Sequence, residues 1–234
     1  MSNDTENRLL RALHLDDRRA VLDACDRIHL EAGAVLARVG EPMTAAHFPE
    51  RAVISALATY ADGSTIEMAN IGREACTGVG LALGAPRQLV TLQVQIAGAA
   101  LVLSDEAFER LSRERPEVEA IFRASVQALF HQVMVSGACN GAHGTRQRLA
   151  RWLLTMHDRN DGETMRLTQD FLAEMLGLRR ATVTRAASEL QAEGLIDYAR
   201  GRIAVTDAEG LRGASCECYD LVRSAYETLL PERP

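Results

Sequence analysis

The chain has 234 residues, 47% hydrophobic and 25% charged, which is the balance of a globular protein with room for one large or two modest domains. No apolar run approaches the roughly 18 residues of a membrane-spanning helix, and the opening MSNDTENRLL carries acids and lacks the apolar centre of a secretory leader, so no membrane partner and a cytoplasmic location are expected. A net charge of −6 excludes a basic field over the whole chain, and five cysteines, an odd number, argue against a disulfide framework.

In chain order, Asn7–Cys25 has helical periodicity, marked by Leu10, Leu13, Val21 and Leu22. From His29 to about Leu103 the pattern becomes short β-type runs punctuated by glycine. Val53–Tyr60, Thr65–Ile71, Leu89–Ile96 and Ala99–Leu103 are strand candidates. Turn signals every 8–12 residues or so point to a small all-β barrel or roll rather than βαβ units. Ser104, followed by Asp105 and Glu106, caps a helix, and Pro116 opens a longer one. Along that second helix Phe122, Val126, Leu129, Val133, Ser136 and Asn140 fall on a 4-3-4-3-4 spacing, which is a dimer seam or a stripe packed on the β-domain. Gly141 and Gly144 make a hinge after it.

Thr145 is a cap for a helix whose buried side is Leu149, Trp152, Leu153 and Met156. Asn160–Gly162 is a turn, and Met165–Leu167 a short strand. Thr168 caps QDFLAEML, Gly177 makes a tight turn, and a second helix runs from about Arg180 to Ala192, with Gly194 as its stop. At 100° per residue, Arg180, Ala181, Thr184, Arg185 and Ser188 share one arc, opposite Val183, Ala186, Ala187 and Leu190. Tyr198–Val205 reads as a β-hairpin with Arg200, Gly201 and Arg202 at its tip. Arg146–Arg202 holds ten arginines against eight acids, so this is the basic part of an acidic chain. A split-face helix after a tight turn, followed by a basic wing, is how side chains enter the major groove of DNA. Arg179, Arg180, Thr182, Thr184, Arg185, Ser188, Arg200 and Arg202 are the candidate DNA contacts. Arginine can bond both acceptors of a guanine edge, and hydroxyls suit phosphates or bases.

In these residues the chain resembles the Crp/Fnr regulators. LTQDFLAEMLGLRRATVTRAASELQAEGLIDYARGRIAV is similar to the family's scaffold helix, R-x-T-V-x-R recognition helix, L-x-x-x-G-L-I segment and glycine wing. HLEAGAVLARVGEPMTAAHFPERAVISALATYADGSTIEMANIGREACTG is similar to its cyclic-nucleotide-binding β-roll. The resemblance implies an α+β architecture: a β-roll sensor over 1–115, a dimerisation helix over 116–143 and a winged helix-turn-helix over 144–234. It further implies a homodimer on double-stranded, palindromic operator DNA, with RNA polymerase as a further candidate partner, and no enzymatic activity. Ala181 stands where many members have a base-contacting glutamate, so the operator should differ from theirs. The family's phosphate cassette has a Gly-Glu pair and later an Arg-Ser pair. Here Arg73 separates Gly72 from Glu74, and Pro86-Arg87-Gln88-Leu89 lacks the serine. Arg73, Glu74, Arg87 and Gln88 are the candidate effector-pocket residues, for a ligand other than cyclic AMP, or for none; the cofactor is unknown. No metal site is assigned. Cys139 and His143, one helical turn apart, and the Cys216-Glu217-Cys218 pair are each half of a metal or redox site or simply reduced, partly buried thiols.

Overall fold

The computed structural model describes residues 4–85 and 87–231. They form two compact units. One comprises residues up to 56, 69–132 and from 224 on; the other comprises 57–68 and 133–223.

The first unit opens with two helices, α1 (Arg8–Arg11) and α2 (Leu15–Asp23), where the sequence suggests one. The break is stabilised locally. Asn7 caps α1 by accepting the Leu10 amide, and its side-chain amide donates to the carbonyls of Pro49 and Ala75 at 2.8 and 3.0 Å. The Arg18 guanidinium donates to the carbonyls of Arg11 and Leu13, which a continuous helix would have occupied.

Seven strands follow: β1 (Asp26–Leu30), β2 (Val35–Ala37), β3 (Ala45–Pro49), β4 (Val53–Thr59), β5 (Thr65–Ile71), β6 (Thr91–Ile96) and β7 (Gly98–Ser104). They form two sheets, ordered β1-β7-β3 and β2-β6-β4-β5. The central strand β7 is antiparallel to both neighbours, with Ala100 opposite Ile28 on one side and Leu101 opposite Phe48 on the other. Gly98 opens β7 because a β-carbon there would lie 2.6 Å from the backbone at Arg51 and Ala52. Phe48, Ile54, Ile71, Leu101 and Leu103 are buried in the roll. This is the β-roll expected from the alternation and glycine spacing, with β1–β3 added to the four strands visible in the sequence.

Ser104 caps α3 (Asp105–Glu114), accepting the Ala107 amide, as expected. α4 (Pro116–Ala142) is a single helix, so Gly141 lies within it and does not end it. The hinge reduces to His143 and Gly144, because one glycine in a long helix costs only about 1 kcal/mol.

The second unit contains α5 (Thr145–Arg159), the short strand β8 (Met165–Arg166), α6 (Gln169–Leu176), α7 (Arg180–Ala192), the hairpin β9 (Ile196–Ala199) and β10 (Arg202–Val205), then α8 (Ala208–Ala214) and α9 (Cys218–Leu229). Thr145 is the first helical residue and Gly144 takes the cap position; the Gln147 side chain accepts the Gly144 amide. β10 pairs with both β8 and β9, so the wing is a three-stranded sheet. Leu149, Leu153, Met156, Leu172, Val183, Leu190, Ile203 and Leu211 are buried. The helices α8 and α9 have no counterpart in the sequence reading.

Candidate nucleic-acid interface

Helices α6 and α7 are built from local signals. The Thr168 hydroxyl accepts the Phe171 amide at 3.2 Å to start α6. Gly177 ends it in the left-handed region at φ 61°, where a β-carbon would be strained. The Leu178 amide then returns to the Ala173 carbonyl at 2.8 Å, which is the Schellman-type closure that stops a helix and redirects the chain. Leu172, Ala173, Met175 and Leu176 of α6 and Val183, Ala186, Ala187 and Leu190 of α7 are buried. Burial of the apolar face turns Arg179, Arg180, Ala181, Arg185 and Ser188 to solvent.

The exposed arginines differ in what holds them. Arg180 pairs with Asp170 at 3.1 Å, with the two side chains 63% and 70% exposed. Such a pair contributes about 0–1 kcal/mol, so a phosphate or guanine can displace the carboxylate at little cost. Thr184 differs from the sequence reading. Its hydroxyl bonds to Gln169 Oε1 at 2.7 Å and the Arg180 carbonyl at 2.9 Å. It therefore fastens α7 to the start of α6, and its donor is spent inside the protein. Ser188 likewise donates to the Thr184 carbonyl at 2.9 Å but stays exposed. Thr182 is half-buried.

At the wing, Arg200 and Gly201 both have positive φ, 51° and 71°, and Arg200 and Arg202 are exposed. Arg202 stands opposite Arg166 of β8, which brings another exposed arginine into the wing. Arg166 is not visible as a wing residue in the sequence because the pairing of β8 with β10 is a tertiary contact. Between wing and helices lies an open cavity of about 500 Å3 lined by Thr168, Gln169, Asp170, Arg180, Tyr198, Arg200 and Gly201. Burial raises the Tyr198 phenol above its usual range, so it is a neutral donor at this rim. Gln169 and Tyr198 are the residues that sequence reasoning missed here: neither lies on the recognition helix, the one segment whose face could be computed.

The candidate effector residues do not gather. Arg73 lines a cavity of about 540 Å3 with Asp4, Thr5, Glu6, Arg8, Arg11, Arg27 and Glu50, and its carbonyl accepts the Arg8 amide. Glu74 accepts the Gly72 amide at 3.3 Å. Arg87 is exposed and donates to the Gly40 carbonyl at 2.7 Å; Pro86 lies outside the described residues. Gln88 is buried and lines a separate cavity of about 350 Å3 with His47, Thr44, Glu41 and Leu92. There, burial holds His47 down to about 4.

The seam on α4 is also redrawn. Phe122 is 1% exposed, with its ring edge-on to Phe48 at 5.6 Å and tilted on Phe108 at 4.5 Å. It belongs to the core of the first unit and cannot serve a seam. Val126, Leu129 and Ser136 are half-buried and Asn140 is exposed. Of the seam expected from the sequence, Val133 stays exposed (39%), beside Phe130 (62%) and Met134 (49%), which shifts the exposed apolar stripe round the helix by less than one residue's 100° step. The two cysteine pairs, by contrast, converge: Cys139, His143, Cys216 and Cys218 place one ligand atom each within 4.8 Å of the others.

No helix among the described residues is long and apolar enough to cross a membrane. Residues 147–214 match the Crp-like helix-turn-helix domain. No curated protein matches the chain by sequence. Among solved structures it is similar to FixK2 from Bradyrhizobium japonicum, at 17% identity over 82% of this chain and 98% of that one, with a TM-score of 0.69. It is similar to CLP, the c-di-GMP responsive global regulator of Xanthomonas campestris, at 16% identity over 82% and 99%, TM-score 0.66. It is also similar to a candidate cyclic nucleotide binding protein of Ruegeria pomeroyi, at 21% identity over 91% of this chain and 98% of that one, TM-score 0.65.

Proposed function

We propose, from the premise that this chain carries a Crp-like helix-turn-helix domain on the fold of Crp/Fnr regulators, that it is a homodimeric, sequence-specific transcription regulator. The observation that carries this reading is the exposed arginine set, Arg179, Arg180 and Arg185 on α7 and Arg200 and Arg202 on the wing, backed by a fully apolar opposite face. A helix so divided enters the major groove with its arginines toward base edges while the wing meets phosphates. Arg180 and Arg185 carry base readout. Ser188 and Thr182 contact the backbone, and Thr184 positions Arg180 from within. Two copies joined through Phe130, Val133 and Met134 present two recognition helices to a palindromic site. A signal received by the β-roll, or a redox event, shifts the population between DNA-competent and incompetent states. RNA polymerase is the partner through which such a protein would act on transcription.

The test is fluorescence anisotropy with duplexes from the chain's own promoter region. Arg180→Ala/Arg185→Ala is expected to lose at least about thirtyfold in specific affinity while keeping its circular dichroism spectrum. Unchanged affinity would overturn the reading. A second reading, constitutive DNA binding without a ligand, is favoured by one observation: Arg73 and Gln88 line different cavities, and Arg87 is engaged with the Gly40 carbonyl at the surface. A thermal-shift screen over cyclic nucleotides, haem and metals separates the two, since a reproducible shift by a nucleotide or haem removes the second.

A further inference from the structure

Four residues that the DNA-binding reading does not use converge in the second unit. Cys139 and His143 are one turn apart at the end of α4, where the His143 amide donates to the Cys139 carbonyl at 3.0 Å. Cys216 and Cys218 come from the connection between α8 and α9, with Cys218 the first residue of α9. Cys139, Cys216 and Cys218 are 0%, 4% and 5% exposed and form a small buried cluster with Val135 packed on it. Cys139 Sγ lies 3.5 Å from Cys216 Sγ, and Cys218 Sγ lies 3.6 Å from His143 Nδ1.

With metal–sulfur bonds of about 2.3 Å and a metal–nitrogen bond of about 2.0–2.1 Å, a tetrahedral site has edges of about 3.8 Å between sulfurs and about 3.5 Å between sulfur and nitrogen. The two measured edges match one mononuclear tetrahedron. A disulfide would draw its sulfurs to about 2.05 Å, and an iron–sulfur cluster, which places several irons and sulfides between its ligands, needs a wider cage than 4.8 Å. We propose that Cys139, His143, Cys216 and Cys218 form a closed Cys3His site for a single zinc ion, which ties the last turn of α4 to the start of α9.

Three surrounding features suit that ion. His143 Nε2 lies 3.3 Å from the Glu217 carboxylate. A proton on Nε2 would satisfy that contact and leave the Nδ1 lone pair for the ion, with the carboxylate orienting the ring as in carboxylate–histidine–metal triads. Next, Cys218 opens the twelve-residue helix α9, whose positive N-terminal end suits an anionic ligand. Finally, three thiolates, a neutral imidazole and Zn2+ leave one net negative charge; burial holds the Arg148 guanidinium below its ordinary range, and Cys139 and Cys216 are charged neighbours that oppose that shift. Arg148 is 8% exposed, and its Nε is buried without a hydrogen-bond partner. Its Nη2 donates at 2.6 Å to the carbonyl of Leu176, the residue before the Gly177 turn. Arg148 thus connects the charge of the site to the turn between α6 and α7. With all four positions taken by protein, no coordination position is left for substrate, so the site is structural or regulatory and not hydrolytic.

The experiment is metal analysis of the full-length chain purified under reducing conditions, followed by Co2+ substitution. The expected result is one zinc per chain and, after exchange, the intense ligand-field and sulfur-to-cobalt charge-transfer bands of tetrahedral cobalt. Cys216→Ser is expected to lose both. Glu217→Gln, a milder variant that keeps all four ligands, should keep the cobalt bands but bind zinc about 10- to 100-fold more weakly in competition with a chelator. Wild-type protein that is folded and reduced, yet takes up no zinc and gives no tetrahedral cobalt spectrum, overturns the proposal. So does a Cys139–Cys216 disulfide in freshly isolated protein, found by mass spectrometry of alkylated peptides. Iron at the same four residues would overturn the zinc assignment. None of these outcomes depends on whether the chain binds DNA.

Discussion

The winged helix and the β-roll share one chain but match what the sequence leads one to expect to different degrees. In the winged helix, the Thr168 cap, the Gly177 turn and the exposed arginines of α7 and the wing all stand where the sequence puts them. In the roll, the strands and core are intact, while three of the four candidate effector residues point to different places. Arg73 faces a cavity near the N-terminal helices, Gln88 faces another beside His47, and Arg87 reaches the Gly40 carbonyl. The difference has a physical source. A recognition helix reads DNA through the exposed side of one continuous segment, so preserving its periodicity preserves the interface. A phosphate cradle is assembled from turns far apart in sequence, so intact sheets beneath do not by themselves preserve it.

The largest expected effect tests the contrast directly. Each bidentate arginine contributes about 1–3 kcal/mol of base discrimination, so Arg180→Ala/Arg185→Ala should cost roughly 2–6 kcal/mol in specific binding measured by anisotropy, two such contacts together. Arg87→Ala, at the cassette, should leave promoter affinity within about a factor of two, an energy below RT ln 2 or so on the usual scale. A loss at Arg87 as large as at the α7 arginines would erase the distinction.

The next comparison lies on α4. Phe122→Ala should destabilise the chain by about 3–5 kcal/mol in urea unfolding, the ordinary cost of a large-to-small core change. Phe130→Ser/Met134→Ser should leave unfolding of the monomer nearly unchanged and shift sedimentation toward monomer. If Phe122 proves neutral for stability, its place in the aromatic cluster is wrong.

A third test uses pH. His47 is held down to about 4 by burial, below the 6.5 or so of an unfolded chain. The unfolded state therefore takes up a proton first as pH falls. Stability from this group is complete above about 6.5, declines between 6.5 and 4, and levels below 4, a loss of at most about 3 kcal/mol. His47→Gln should flatten that part of a stability-versus-pH curve, and an unaltered slope would show that another group controls it. The smallest expected effect is at the wing. Arg200→Ala should weaken binding to all sequences alike and lower the slope of log affinity against log salt by about 0.9, one phosphate contact.

Much of the fold was legible before any coordinates. The bounds of α6 and α7, the Gly177 turn and β5 agree with the sequence reading because each is specified by residues within a few positions of one another. What escaped shows the limit of local signals. Asn7–Cys25 is periodic throughout, yet the helix breaks between Arg11 and Leu15, where the Arg18 guanidinium takes up the freed carbonyls of Arg11 and Leu13. The 4-3 spacing on α4 is present, but spacing cannot say which side of a helix meets a core. Phe48 and Phe108 claim Phe122, and the exposed face turns toward Phe130 and Met134. Thr184 lies on the arc shared with the arginines, and only its contact with Gln169 reveals that its hydroxyl is engaged inward.

The sequence by itself determined that residues 168–205 form a helix-turn-helix with a basic wing, because helix faces, caps and glycine turns are set by neighbours along the chain. Only the tertiary structure decided that Cys139 and His143 meet Cys216 and Cys218, with the facing sulfurs of Cys139 and Cys216 77 residues apart and 3.5 Å distant. Each pair alone is an ordinary half-site. The packing of α8 and α9 in the second unit makes them one, because a coordination sphere is a matter of distance in space and leaves no periodic mark in the sequence.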